Sequence, residues 1–185
     1  MNNTINLENA YHVTLPNGLR AMLCHTPEAS ESFVSMAVRA GHFYDPTDCQ
    51  GLAHLLEHML FMGSRHLPKP NAINGFIEQH GGTINAWTGT EYANYHFSCS
   101  GDTIAQTLPA FADMLRQPLF EEDALTNEIK NIHSEFEFKK KDDLRRLYQI
   151  HKETCNPQHP FAKFSVGNSD TFSQHECAEL KRRLK

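Results

Sequence analysis

The sequence predicts an α+β fold, an antiparallel or mixed β-sheet packed against helices on one side. Three observations carry the prediction: strand patterns come first, helical patterns are interspersed with them, and two of the strand patterns are joined by a turn tight enough to require antiparallel pairing.

In chain order, "LPNGLRAMLCHT" reads as a turn at Pro16, Asn17 and Gly18 that feeds a strand, and "SFVSMAVRAG" (32–41) reads as a second strand. A helix should follow "DPTD". Thr47 with Gln50 fits a capping box, Asp48 is a competing N-cap, and Gly63 supplies the stop. A short helix is expected from near Asn71 to the Gly81-Gly82 pair. "TINAWTG" and "TEYANYHFSCS" follow as two strands turning at Gly89. The second alternates, with Ala93, Tyr95, Phe97 and Cys99 on one side and Tyr92, Asn94, His96 and Ser98 on the other. Next comes an amphipathic helix with Ile104, Leu108, Phe111 and Leu115 on one face, which Pro109 should kink or delay. From about Glu121 to Thr154 the pattern is helical, with a break expected near Lys139 to Asp143. "HECAELKRRLK" has the character of the opening turns of one more helix, without a stop signal.

At 185 residues the chain has the size of one domain, long enough to bury most of the apolar surface of its unfolded form. The 39% hydrophobic and 21% charged content suggests neither disorder nor a membrane protein. A net charge of -5 argues against a general nucleic-acid binder, and the short basic runs at 139–141 and 181–185 read as solvated helix faces. No signal-peptide pattern and no apolar run of membrane-span length is visible, so a cytoplasmic protein is expected, with a periplasmic one as the alternative. Five scattered cysteines without a C-x-x-C pair fit free thiols. Histidine is abundant, with 12 copies.

Two of those histidines stand in "HLLEH", His54 to His58. At 100° per residue, Leu52, Leu55, Leu56, Met59 and Leu60 share one arc of a helix, while His54, Glu57 and His58 share another on the opposite side. Histidines at i and i+4 can chelate one ion through their imidazole nitrogens, and the glutamate lies beside both. With 12 histidines in the chain, chance supplies this pattern about one time in twenty, so a third ligand is needed to decide. "NEIKNIHSEFE" offers candidates. Glu128 and Glu135 are two turns apart on one face, but periodicity does not choose between Glu128, Glu135 and Glu137, and solvated surface glutamates are the commoner case.

Taken together, "GLAHLLEHMLFMGS", "NAINGFIEQHGGTINAWTGTEYANYHF", "NEIKNIHSEFE" and "NPQHPFAKFSVGN" resemble the N-terminal domain of the insulinase and pitrilysin family of zinc peptidases, whose hallmark is the inverted H-x-x-E-H motif. The resemblance runs from about Tyr11 to Asn168 and implies the N-terminal domain of an insulinase-like clamshell. It implies that His54, His58 and Glu135 bind one zinc ion, that Glu57 is the general base that activates a zinc-bound water, and that Glu128 supports the ligands from behind. Asn85, Ala86 and Trp87 match the edge strand on which family members lay an extended peptide, with Trp87 where a smaller aromatic is more usual. Such a strand binds substrate by β-augmentation.

The resemblance further implies companion homologous domains, in the same chain or in a partner subunit, that complete a substrate chamber. Residues 1–185 are therefore expected to be the catalytic N-terminal piece of a longer protein, a zinc metalloendopeptidase of peptides or small extended polypeptides. A non-catalytic scaffold or regulatory relative, or a catalytic fragment silent without its companions, are the alternatives. Intact His54, Glu57, His58 and Glu135 argue against the first. A purely structural zinc would more often be closed by four ligands, cysteines among them.

Overall fold

The computed structural model describes residues 10–156 and 158–185. It divides into two compact units, the first ending at Ser30 and the second running from Glu31 to Lys185.

In the first unit, β1 (Ala10–Thr14) and β2 (Arg20–Cys24) form an antiparallel hairpin with Tyr11 opposite Leu23 and Val13 opposite Ala21. The expected turn lies between them. Gly18, at φ 85°, adopts the left-handed conformation, and its N–H donates to the Leu15 carbonyl at 2.9 Å.

The second unit is built on an antiparallel sheet of β3 (Glu31–Val38), β4 (Ile84–Thr88) and β5 (Ala93–Ser100) in the order β3-β5-β4. Alternation sorts its two faces. Ala93, Tyr95, Phe97 and Cys99 are buried, and Val34, Met36, Ile84 and Ala86 pack beside them, while Phe33 and Trp87 on the opposite face are exposed. Onto the buried face pack α1 (Leu52–Leu60), α2 (Ala72–Gln79) and α3 (Ile104–Arg116). The other helices are α4 (Glu122–Lys139), α5 (Asp143–Thr154), α6 (Ser169–Phe172) and α7 (Cys177–Leu184). Helices on one side of an antiparallel sheet are the α+β arrangement the sequence predicts.

Two apolar clusters meet at α1. Leu55 and Met59 pack with Leu125 and Ile132 of α4, Phe172 of α6, and Leu180 and Leu184 of α7. Leu60 joins Ile73, Ile77, Phe97, Phe111 and Met114, and Leu56 touches both groups. The apolar arc of α1 is thus held between the sheet side and α4. Its polar arc is fixed in direction as a consequence.

Several local expectations need correction. The capping box at Thr47 and Gln50 does not form, and Asp48 does not cap. α1 is instead preceded by Gly51 in the left-handed conformation, and the carboxylate of buried Asp45 accepts the N–H groups of Gly51 and Ala53, both at 2.8 Å. A helix start buried in the protein needs its free donors satisfied from within, and an anion there also complements the helix dipole. In α3, Leu108 is 45% exposed; the buried residues are Thr107, Phe111, Asp113 and Met114. Pro109 lies in the second turn of α3, and the helix continues through it. The break between α4 and α5 falls where expected, with Asp142 Oδ1 accepting the N–H groups of Leu144 and Arg145. All five cysteines are free thiols. Among the described residues, no helix is long and apolar enough to cross a membrane.

Candidate metal centre

His54, Glu57 and His58 project from the polar arc of α1, and α4 is anchored on α1 through its own apolar residues Leu125 and Ile132. This crossing brings Glu135 to the histidines. Its Oε2 lies 3.6 Å from His54 Nε2 and 3.6 Å from His58 Nε2. One donor atom from each of the three lies within 4.8 Å of the others, and this is the only such grouping of metal-ligating side chains among the described residues. The two imidazoles stand nearly at right angles, 78°, with centroids 4.7 Å apart.

Both rings are locked from behind. His54 Nδ1 lies 2.7 Å from the Val166 carbonyl, and a carbonyl can only accept, so Nδ1 carries the proton. His58 Nδ1 lies 2.9 Å from Glu128 Oε2. Glu128 is itself buried, and Asn131 Nδ2 donates to its other oxygen at 2.8 Å. With each Nδ1 engaged as a donor, a neutral ring turns the lone pair of Nε2 toward Glu135. Carbonyl and carboxylate partners of this kind fix the tautomer and orientation of metal-binding histidines.

Burial pulls His54 below the usual imidazole value, partly opposed by Val166. Burial acts on His58 in the same direction, but there the hydrogen bond to Glu128 and the proximity of Glu135 prevail and raise it to about 9. The facing His58 and then the Lys139 ammonium hold Glu135 down to about 2. The two carboxylates thus favour positive charge at this end of the cluster. Two imidazole nitrogens and one carboxylate oxygen, converging and backed by hydrogen bonds, are a donor set that fits zinc.

Glu57 lies next to this centre without joining it. Its Oε2 accepts a hydrogen bond from the Thr88 hydroxyl at the end of β4. Beside it opens a cavity of about 410 Å³, lined by Glu57 and His58 of α1, Asn71 and Asn74 around the start of α2, Asn85 and Ala86 of β4, and Glu128 and Asn131 of α4. β4 is an edge of its sheet. The Ala86 N–H is turned outward, where the side-chain oxygen of Asn85 accepts it at 2.8 Å. Trp87, 51% exposed, stands on the face of the strand opposite Ala86, above Gly89. Asn85 and Ala86 border the cavity and Trp87 does not.

The arrangement can be set against known proteins. The sequence profile described as Insulinase (Peptidase family M16) matches residues 20–162. The chain belongs to the insulinase family of peptidases. Insulin-degrading enzyme-like 2 from Arabidopsis thaliana is 40% identical over 159 residues, which cover 86% of this chain and 16% of that protein. The A-factor-processing enzyme of Saccharomyces cerevisiae is 38% identical over the same length and coverage. Insulin-degrading enzyme from Homo sapiens is 38% identical over 173 residues, 92% of this chain and 17% of the relative. The crystal structure of pitrilysin superposes with a TM-score of 0.86 at 30% identity, covering all of this chain and 21% of its own. This insulinase chain spans about one sixth of the length of the curated relatives it matches.

Sequence reasoning missed four contributors to this insulinase centre. Asp45 caps the motif helix, Thr88 holds Glu57, Lys139 pairs with Glu135, and Val166 orients His54. Only Lys139 had a local signal, its i,i+4 spacing from Glu135. Val166 acts through its backbone carbonyl, which no side-chain pattern reveals. Gly51 and Gly167 bring it there. A Cβ on Gly51 would stand 2.4 Å from Gly167 Cα, so the two backbones meet at a distance only glycines allow.

Proposed function

We propose that this chain is the catalytic N-terminal domain of a zinc metalloendopeptidase acting on peptides or small extended polypeptides. The observation that carries the reading is the convergence of His54 Nε2, His58 Nε2 and Glu135 Oε2, with Glu57 alongside but held apart by Thr88. His54, His58 and Glu135 would hold the ion. Zinc bound there supplies Lewis acidity toward a water and toward the scissile carbonyl.

Glu57 takes the proton of the attacking water and delivers it to the leaving amine. The Thr88 hydroxyl holds one oxygen of Glu57, so the other is free for the proton. Glu128 holds the proton of His58 at Nδ1, so that Nε2 would be the nitrogen offered to the ion, and its charge would stabilise the loaded centre. An extended peptide pairs with the free edge of β4, its carbonyl replacing Asn85 at the Ala86 N–H, and alternate side chains enter the cavity beside Glu57. Companion domains in the same chain or a partner subunit close the substrate chamber, in keeping with relatives several times longer.

Zinc content after dialysis, measured for wild type beside Glu135→Ala, tests the reading. About one zinc per wild-type chain, sharply reduced in the variant, is the expected result, because a ligand is lost. A folded wild type that retains no zinc would overturn it.

A further inference from the structure

Glu135 presents its two carboxylate oxygens to different partners. Oε2 faces both imidazole Nε2 atoms at 3.6 Å. Oε1 is paired with the ammonium of Lys139, one turn further along α4. Lys139 is not one of a row of equivalent surface lysines. Its side chain is 24% exposed, whereas the next residue, Lys140, is 59% exposed and turns instead to Glu137 at 3.4 Å.

An ion pair at this spacing on an open helix face would contribute little and mean little. Here one of its members is a candidate metal ligand, and the pairing gives one carboxylate oxygen to the ammonium and leaves the other to the two imidazoles. A free carboxylate binds metal ions through one oxygen or through both. If both were available, the second oxygen would take up coordination that a catalytic zinc site keeps open.

Accepting the zinc reading above, we propose that Lys139 is a positioning residue that reserves Oε1 and makes Glu135 a one-oxygen ligand. An ammonium with three donors, carried on α4 itself, is anchored to the element that carries the ligand, so the division persists wherever α4 goes. The role is distinct from that of Glu128, which acts on His58 from behind and touches neither oxygen of Glu135.

Cobalt(II) reports this directly, since its visible absorption is strong in four-coordinate sites and weak when further ligand atoms join. Cobalt(II) is titrated into metal-free wild type, Lys139→Met and Lys139→Arg, with thermal unfolding followed in parallel. The expected result is a strong band in wild type, a marked loss of band intensity in Lys139→Met with unfolding little changed, and return of the band in Lys139→Arg. A change in mere helix stability would leave the band alone. Cobalt uptake with the same band in wild type and Lys139→Met would overturn the proposal while leaving the metal reading intact. No uptake by folded wild type would overturn both.

Discussion

His58 Nδ1 and Glu128 Oε2 lie 2.9 Å apart, and Glu128, at 6% exposure, reaches that position from the opposite helix. A carboxylate is buried only when it is paired. This one is paired twice, to His58 and to Asn131. Its cost is met whether or not an ion is present, so it is a built part of the centre and not a surface charge that happens to be near. Glu128→Ala is expected to leave His58 free to rotate and to weaken zinc binding by about 10- to 100-fold, read by competition with a chelator. Wild-type affinity in that variant would remove Glu128 from the centre.

Glu57→Gln separates chemistry from metal binding. The amide keeps the size of the side chain and can still accept from Thr88, but it cannot take a proton. Zinc content is expected to stay at the wild-type level while the rate of peptide cleavage falls by about 100-fold or more. Cleavage at the wild-type rate by the variant would show that Glu57 is not the base.

Much of this was legible in the residues, and the limits are physical. Periodicity placed His54, Glu57 and His58 on one face of α1 because a helix buried on its apolar arc has no freedom to turn. It also found the buried row of β5 and the break after Lys139. It could not pair α1 with α4, since Glu128, Glu135 and Glu137 differ only in which tertiary neighbour they meet; the four-block resemblance supplied that choice. The start of α1 departs from its local capping signals for a related reason. Local capping signals describe a helix whose first turn meets water, and here that turn is buried beneath Gly167 and served by a carboxylate six residues upstream.

That carboxylate gives a pH dependence of unusual sign. Burial dominates the hydrogen bonds from the α1 backbone and raises Asp45 from 3.8 to about 6. The folded protein therefore holds the proton more tightly than the unfolded chain between those values. The contribution of Asp45 to stability is fully present below about pH 4 and is lost as pH rises through about 6. The change is on the order of 3 kcal/mol. Denaturant unfolding of wild type and Asp45→Ala across this range should show the advantage of wild type shrinking toward neutral pH. A constant difference would mean that Asp45 is not perturbed.

The approach of Gly51 to Gly167 links backbone packing to the metal centre. Gly51 has φ 91°, and its Cβ would fall 2.4 Å from Gly167 Cα, backbone that cannot swing aside as a side chain can. Left-handed backbone alone costs a residue with a Cβ about 1–2 kcal/mol. Relief of the overlap must then come from separating the two segments, which draws the Val166 carbonyl away from His54 Nδ1. Gly51→Ala is expected to destabilise the fold by about 2 kcal/mol or more and also to weaken zinc binding, through a site that touches no ligand directly. Gly75→Ala supplies the contrast. Gly75 lies inside α2 with no atom within 4 Å of an added Cβ, so the same exchange should stabilise by about 0.5–1 kcal/mol and leave zinc affinity unchanged. Equal effects from the two substitutions would show that the glycine contact does not hold His54 in place.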